Sequence, residues 1–515
     1  MHRAAAGARR VTGRSLLPPG VTKEVRALLP IWAGSTGIVV VSGAIGGTRG
    51  HMVALFAYAL GALVLGAQSI GHEYAHRTLG VLLAQPWNRR RLYTIKLAVL
   101  AAMLLTLGAV AWVALRASPD AVRHLAGDGV AGYGSSVLWL TALCGLCLAP
   151  VLTMASRGAL AGVVFTAVVP GSLLVLGDFM GVAVFWPLMI AILPVAALSG
   201  WRMFVRLEAI DGRGAELHLP RWGPDREHAI SVERDAAVAP AAFWLLVKKE
   251  IRLQHMSFVV AGLGILAWVT ISLGGQATQA RTIPLEALVV LYIGLLSVLI
   301  GSLASAEERQ LGTAEWGLLL PMAAWQQWAV KAGVALGLAC LLSLALQTAA
   351  WSLGSGSESI PDVARLWLRT TTVVLLVTSW SLYVSSLNAS GVKAMIASVA
   401  TLFGVVLLVP AGAWAWWSGL LRFFYYVQVS SGVSPEASSA VLVRMHHGAG
   451  RAWAILTPIE TAAGLIGILL WLGGVNHRSA ERGPWRILQQ AAVIAGFLAA
   501  AMLIYAAALF LSASQ

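Results

Sequence analysis

Long apolar stretches separated by short polar segments recur along almost the entire chain. Each stretch has roughly 20 residues, the length at which a helix crosses the hydrocarbon core of a bilayer. The pattern predicts twelve spanning helices, and an additional apolar stretch near the end of the chain predicts a thirteenth. The predicted spans are 30–46, 52–70, 93–115, 133–154, 159–177, 180–200, 257–274, 285–304, 328–351, 366–387, 394–413 and 453–473, and the additional stretch is 487–511.

Composition indicates the same class of protein. Of the 515 residues, 58% are hydrophobic and only 11% are charged, and the mean hydropathy is +0.78. Soluble domains carry about 25% charged residues. Short segments that alternate between apolar and polar residues, as in a membrane barrel, do not occur in the sequence. We therefore expect an all-α polytopic membrane protein.

The basic residues lie mainly on one side of the predicted spans. With the N-terminus in the cytoplasm, the cytoplasmic segments carry 27 of the 36 lysines and arginines, and the opposite loops carry the other 9. This asymmetry follows the positive-inside rule. The formal net charge of +14 is then explained by topology and by contact with anionic membrane lipids, so we expect no nucleic acid partner.

An internal repeat divides the chain into two tandem halves of about six spanning helices. Shifting residues 72–96 by 235 positions lays them without a gap on EERQLGTAEWGLLLPMAAWQQWAVK. Parallel repeats of this kind are common in transporters. The identical pairs are Glu73 and Glu308, Thr78 and Thr313, Leu83 and Leu318, Pro86 and Pro321, and Lys96 and Lys331.

The repeat also sets the predicted domain organisation. A Lys-Glu-x-Arg sequence precedes the first span of each half, in VTKEVRALLPIW and in LLVKKEIRLQHMSF, and is typical of an amphipathic helix at the membrane interface. The predicted units are a first permease half at 1–200, a cytoplasmic linker at 201–240, a second half at 241–473 and an extra C-terminal transmembrane segment at 474–515.

Residues 72–76 read HEYAH, which is the HExxH pattern of zinc proteases. On a helix, His72 and His76 share one face, and Glu73 is placed to activate a metal-bound water. A membrane-embedded zinc metalloprotease is therefore one hypothesis for the function, with Asp178 or Glu208 as candidate third ligands.

The repeat argues against a metal site. It keeps Glu73 as Glu308, but Glu307 and Leu311 stand at the positions of the two histidines. Whatever the repeated segment does, it retains the glutamate without the zinc ligands. We therefore expect no metal in this chain.

The repeated segment resembles the permeases of the ABC-2-type exporter family. The shared features are a glutamate, an Arg-Thr or Gly-Thr pair, two leucines, a proline, a basic or polar patch and a lysine. In the first copy the matching residues are Glu73, Arg77, Thr78, Leu82, Leu83, Pro86, Arg89, Arg90, Arg91 and Lys96. In the second copy they are Glu308, Gly312, Thr313, Leu318, Leu319, Pro321 and Lys331.

The resemblance implies that each repeated segment is a short coupling helix that docks on a separate ATPase subunit. The spacing of Leu79, Leu82 and Leu83 gives such a helix an apolar stripe for a groove on a partner. Pro86 would end the short helix, and Asn88 would cap the next helix at its N-terminus. The second copy has AAWQQW where the first has NRRR, so the two docking surfaces are not equivalent.

The resemblance further implies the permease subunit of an ATP-driven exporter in the plasma (inner) membrane of a prokaryote. The resemblance implies two copies of a cytoplasmic ATPase as partners. A separate ATPase is needed because the sequence contains no GxxxxGK[ST] and no Gly-Lys pair. ATP and Mg²⁺ would be bound by that partner, so we expect no cofactor and no enzymatic activity in this chain. The sequence does not identify the exported substrate or tell whether the two ATPase copies are identical.

A third hypothesis is ion-coupled secondary transport. Glu460, in LTPIETAAGL, lies within a predicted span, and intramembrane carboxylates are costly and often functional. Hydrogen bonding between helices is the other explanation for this residue. Secondary transport does not account for the repeated segments. In those segments we expect Glu73 and Glu308 to be partly exposed, so that replacing either glutamate leaves the fold intact.

Overall fold

The computed structural model describes residues 18–75, 78, 79, 82, 88–116, 136–156, 158–180, 182–206, 238–274, 285–311, 322–353, 360–405, 426, 430, 434, 453–479 and 483–514. Within these residues every regular element is a helix. Eight of the described helices are long and apolar enough to cross a membrane, and a bent pair of helices gives a ninth. The chain is an all-α polytopic membrane protein, which confirms the prediction from the sequence.

The first half of the chain contains seven α-helices and one π-helical turn among the described residues. The turn follows α4 and widens the helix at CGLCL, where the two cysteines are free thiols. The elements are α1 (Pro19–Ile45), α2 (Gly47–Ala75), α3 (Arg89–Arg116), α4 (Ser136–Leu143), the π-helical turn (Cys144–Leu148), α5 (Ala149–Ser156), α6 (Ala159–Met180) and α7 (Val182–Arg206).

The second half continues with helices of similar length. They are α8 (Val238–Leu253), α9 (His255–Gly274), α10 (Leu285–Leu311), α11 (Ala324–Leu353), α12 (Ile360–Leu387), α13 (Gly391–Val405), α14 (Trp453–Arg478) and α15 (Pro484–Ser514). Each of the thirteen predicted apolar stretches coincides with described helices. Residues 133–135 and 406–413 of those stretches, and residues 207–237 of the predicted linker, lie outside the described residues.

The two Lys-Glu-x-Arg sequences fold differently. In the second half, α8 and α9 meet at an angle of 52° at Gln254. The Gln254 side chain stabilises this break, because its Nε2 donates a hydrogen bond to Ile300 O (3.1 Å) and its Oε1 accepts one from Ser257 Oγ (2.9 Å). In the first half the corresponding residues lie within α1, a single helix. Among the described residues, the Lys-Glu-x-Arg sequence therefore lies on a separate helix only in the second half, and the interfacial position of that helix stays a prediction.

Glycine at one position of the repeat brings neighbouring helices into close contact. A Cβ on Gly66 of α2 would lie 2.0 Å from the carbonyl oxygen of Gly145, and a Cβ on Gly301 of α10 would lie 2.7 Å from that of Thr378. The two glycines occupy equivalent positions of the two copies when the sequence repeat is extended towards the N-terminus. Small residues allow such close approach of helices in membranes.

The two halves share a hydrophobic core. Buried Val64 and Leu160 of the first half belong to the same cluster as Leu303 of the second half. The rings of Phe56 and Phe403 also meet, with their centroids 5.1 Å apart. The interface between the halves therefore includes α2 and α6 on one side and α9, α10 and α13 on the other.

The additional helix α15 is attached at one end by a polar network. Gln490 Nε2 donates a hydrogen bond to Asn476 Oδ1 (2.7 Å), and Gln490 Oε1 accepts one from Tyr383 Oη (3.0 Å). Asn476 Nδ2 donates to Ser386 Oγ (3.0 Å), so the network joins α12, α14 and α15. Among the described side chains of α15, at 485–504, most of the others are exposed, as expected for a helix that faces lipid.

Candidate functional site

A cluster of two lysines and two glutamates joins the first three helices near one end of the bundle. Lys23 and Glu24 come from α1, Glu73 from the last turn of α2, and Lys96 from the start of α3. Lys96 Nζ lies 2.8 Å from Glu24 Oε1 and 3.2 Å from Glu73 Oε1, and Lys23 Nζ lies 2.8 Å from Glu73 Oε1. Lys96 Nζ also donates a hydrogen bond to Ser69 O (3.3 Å). The formal charges of the four side chains cancel.

Three of the four side chains of this cluster are buried within the protein. The side chain of Glu73 is fully buried, and those of Lys96 and Glu24 are only 2% and 6% exposed, whereas that of Lys23 is 47% exposed. Our expectation of a partly exposed Glu73 is therefore wrong. Removing one partner of a buried ion pair leaves an uncompensated charge and is strongly destabilising, at about 3–5 kcal/mol.

Glu73 also binds the segment that follows α2. The hydroxyl of Thr78 donates a hydrogen bond to Glu73 Oε2, and Thr78 N donates one to Glu73 O (3.0 Å). Leu82 N then donates to Thr78 O (2.9 Å), which forms one turn of helical hydrogen bonding. Leu82 is buried in a cluster that includes Leu92 and Phe204. Of the described residues after α2, Leu82 therefore packs against the bundle and Thr78 is held by the carboxylate of Glu73.

The second half contains the same arrangement. Lys249 and Glu250 come from α8, Glu308 from α10 and Lys331 from α11. Lys249 and Lys331 both form salt bridges with Glu308, and Lys331 Nζ lies 3.7 Å from Glu250 Oε1. Lys331 Nζ also donates a hydrogen bond to Ala304 O (2.8 Å). Glu308 and Lys331 are buried, so the expectation of a partly exposed Glu308 is wrong as well.

The two clusters differ at the residue that precedes the buried glutamate, which is His72 in the first half and Glu307 in the second. His72 Nδ1 lies 2.8 Å from Gln68 O, and His72 Nε2 lies 3.1 Å from Glu73 Oε1 and 4.0 Å from Glu24 Oε2. Because Nδ1 faces a carbonyl, only the imidazolium form also offers a proton to the carboxylates. In the second half Glu307 takes this position, and its buried Oε2 has no hydrogen-bond partner among the described residues.

Glu24, His72 and Glu73 also form the only group of potential metal ligands found among the described side chains. One ligand atom from each lies within 4.8 Å of the others. However, Lys96 contacts both carboxylates and Lys23 contacts Glu73, so cationic groups already occupy the position next to the carboxylates. His76, Asp178 and Glu208 lie outside the described side chains. The donor set therefore fits an ion-pair cluster better than a zinc site.

The other predicted site residues are placed as follows. Asn88 caps α3, as predicted, since its Oδ1 accepts a hydrogen bond from Arg90 N (3.0 Å). Arg89 Nη1 donates to Val205 O (3.1 Å), whereas the side chains of Arg90 and Arg91 are exposed. Arg77, Leu83, Pro86, Gly312, Thr313, Leu318, Leu319 and Pro321 lie outside the described residues.

Glu460 lies on α14, and its side chain is exposed rather than enclosed in the bundle. Functional carboxylates within membrane spans almost always face the bundle interior or a water-filled cavity. This position gives no support to the hypothesis of secondary transport through Glu460.

Four residues of the two clusters are not among the site residues predicted from the sequence: Lys23, Glu24, Lys249 and Glu250. The signal was present, because Lys-Glu occurs before the first span of both halves and Lys96 recurs as Lys331. These residues were interpreted as part of an amphipathic surface. Only the packing of three helices shows that their charges meet in one buried cluster.

No family model, no curated protein and no solved structure matches this chain.

Proposed function

We propose that the chain is the membrane permease subunit of an ATP-driven exporter of the ABC-2 type. The observation that carries this proposal is the position of Glu73. Its carboxylate accepts the hydroxyl of Thr78, in the segment between α2 and α3, and binds Lys23 of α1 and Lys96 of α3. A force applied to that segment by a cytoplasmic partner is therefore transmitted to three helices at once.

The second cluster adds a second point at which force would be transmitted, so that each half has one. Glu308 joins α10 to Lys249 of α8 and Lys331 of α11, directly before the segment at 312–321 that repeats the first one. Two equivalent clusters suit two copies of an ATPase subunit, one beneath each half. The ATPase would bind ATP and Mg²⁺, and the exported substrate would pass between the halves.

The two proposed docking surfaces differ in charge. Arg90 and Arg91 are exposed at the start of α3 and suit acidic residues on the partner. The aligned residues of the second half are uncharged. We therefore expect substitutions at the first surface to weaken ATPase binding more than substitutions at the second. We further propose that the N-terminus lies in the cytoplasm, in line with the distribution of basic residues, and that the chain lies in the inner membrane of a prokaryote.

Purification of the tagged full chain from its native membrane tests the proposal. An ATPase subunit should co-purify at two copies per chain, and the separated chain should hydrolyse no ATP. Arg90→Glu should reduce the amount of retained ATPase, whereas Arg369→Glu, an exposed arginine on α12, should leave it unchanged. If no ATPase co-purifies after mild chemical crosslinking, the proposal is wrong.

A substitution at Thr78 tests the coupling step. Thr78→Val removes the hydroxyl that Glu73 accepts but leaves the ion pairs in place. The variant should still bind the ATPase, but ATP hydrolysis by the ATPase should be uncoupled from transport through the permease. Thr94→Val is the matched control, because the Thr94 hydroxyl is exposed and donates only to Arg91 O within its own helix (2.9 Å).

A further inference from the structure

A groove on the outer surface of the first half runs between α3 and α4. It has a volume of about 140 Å³, and its lining is almost entirely apolar. Its floor is formed by buried Tyr58 and Leu104, and its rims carry exposed large side chains. The rim residues are Leu105, Trp112, Trp139 and Leu143.

The glycine at position 108 keeps this groove open. Gly108 belongs to the lining, and a Cβ there would lie 3.6 Å from Tyr58 Oη. A larger side chain would therefore project into the groove above Tyr58. The Tyr58 hydroxyl is engaged below the groove, since it donates a hydrogen bond to Leu138 O (2.6 Å).

The length of the groove matches one leaflet of a bilayer. Along α3 the lining extends from Ala101 to Trp112, which corresponds to about 16 Å at a rise of 1.5 Å per residue. Half of the hydrocarbon core is about 15 Å thick. The groove therefore matches in length an acyl chain that lies in one leaflet.

A cationic group stands at the end of the groove that is nearest to the membrane surface. The Arg116 guanidinium carbon lies 3.7 Å from the centroid of the Trp112 ring, one helical turn beyond the last groove residue of α3. Stacking on an indole holds the guanidinium plane and leaves its in-plane N–H donors free for a phosphate. Arg116 ends α3, whereas Arg89 begins it, so Arg116 lies at the headgroup level of the opposite membrane face.

The second half does not repeat these features. When the sequence repeat is extended along α3, the positions equivalent to Gly108 and Trp112 are Ser343 and Gln347, and both are buried. The groove therefore does not follow from the general plan of a half.

We propose that this groove binds one glycerophospholipid, with an acyl chain between α3 and α4 and its phosphate at Arg116. The site does not depend on the proposed transport function. It belongs to the leaflet opposite to the Arg89–Arg91 end of α3.

Photolabelling of the purified full chain in phosphatidylcholine vesicles tests this site. The probe is phosphatidylglycerol with a diazirine on one acyl chain, and labelled peptides are identified by mass spectrometry. Label should concentrate on 101–112 and 138–146, and excess unlabelled phosphatidylglycerol should compete with it. Label that is spread evenly over lipid-facing helices such as α15, without competition, would overturn the proposal.

Two variants separate the acyl chain from the headgroup. Gly108→Leu should lower labelling of these peptides by about tenfold, which corresponds to about 1.4 kcal/mol. Gly337→Leu, at a glycine of α11 with open space beside it, should leave the labelling unchanged. Arg116→Gln should lower labelling by phosphatidylglycerol but not by the matching diazirine diacylglycerol.

Folding of the variants is checked by size-exclusion profile and thermal unfolding. If Gly108→Leu does not fold, Ala142→Leu fills the groove from α4 and takes its place. A folded, groove-filled variant that labels as the natural chain does would contradict the site. Competition by palmitate but not by phosphatidylglycerol would likewise contradict a phospholipid as the occupant.

Discussion

Lys96 and Lys331, which the sequence repeat aligns, make the same three-way contact in the two halves. Lys96 binds Glu73 of α2 and Glu24 of α1, and it also binds a backbone carbonyl one turn before Glu73. Lys331 binds Glu308 of α10 and Glu250 of α8, and it also binds a backbone carbonyl one turn before Glu308. The carbonyls belong to Ser69 and Ala304, which are themselves equivalent positions of the repeat. The repeat in the sequence thus corresponds to a repeated contact in three dimensions.

Lys96→Met should destabilise the fold by about 3–5 kcal/mol, because it leaves Glu24 and Glu73 with only one cation. Thermal unfolding in detergent measures the loss. The double variant Lys96→Met/Glu24→Gln should be more stable than the single one, since Lys23 and Glu73 then remain as a neutral pair. Lys393→Met, at an exposed lysine, serves as the control. Equal stability of Lys96→Met and the control would rule out a stabilising role for the cluster.

Lys23→Met should have a smaller effect than Lys96→Met. The Lys23 side chain is 47% exposed, and half-exposed ion pairs contribute at most about 1 kcal/mol. The difference between the two variants, measured in the same unfolding assay, tests whether burial determines the strength of each pair. A loss of stability as large as that of Lys96→Met would show that Lys23 is enclosed in the native membrane.

Purified protein should contain no stoichiometric zinc. Lysines already neutralise the carboxylates of Glu24 and Glu73, so a divalent cation would meet strong repulsion there. Elemental analysis of the chain and of the His72→Ala variant checks this. About one zinc per chain that disappears in the variant would restore the protease hypothesis.

Labelling from outside the cell should not reach the ends of the two proposed coupling segments. In a variant without Cys144, Cys147 and Cys340, exposed positions 88 and 323 are replaced by cysteine in turn. A membrane-impermeant maleimide should react with either cysteine only after permeabilisation. Ile45→Cys, at the exposed opposite end of α1, should react in intact cells. The reverse pattern would invert the topology.

Gln490→Leu should weaken the attachment of α15, because Asn476 Oδ1 loses the hydrogen bond from Gln490 Nε2 and Tyr383 Oη loses its acceptor. Unsatisfied buried groups of this kind cost about 1–3 kcal/mol each. Gln489→Leu is the matched control, since Gln489 is exposed. Proteolysis near residue 483 should be faster in Gln490→Leu than in either the control or the natural chain. Equal rates in all three would mean that the network does not hold the helix.

The helices were predictable from the sequence because a bilayer requires long apolar stretches. Where they are described, all thirteen stretches coincide with helices, and even the cap at Asn88 follows from local chemistry. The break at Gln254 was not predictable, because it depends on a hydrogen bond to Ile300, a residue on another helix and far along the chain.

The candidate site was predictable only in part. Glu73 and Glu308 were identified because the repeat keeps them at a fixed spacing. Their burial was missed, since a charged residue at the end of an apolar run is normally exposed to water or headgroups. The lysines that allow burial lie on other helices, and the sequence alone gives no measure of those distances.

The burial of the two clusters has a consequence for synthesis in the membrane. Glu24 and Glu73 leave the ribosome before Lys96, so the first two helices enter the bilayer with two carboxylates and a single lysine to neutralise them. The charges of the first cluster cancel only when α3 has been synthesised and supplies Lys96. The second half repeats this order with Glu250, Glu308 and Lys331. The buried ion pairs of each half therefore form only when all three helices have been synthesised, and a chain interrupted after α2 or α10 retains the two glutamates of its cluster without the buried lysine that pairs with both of them.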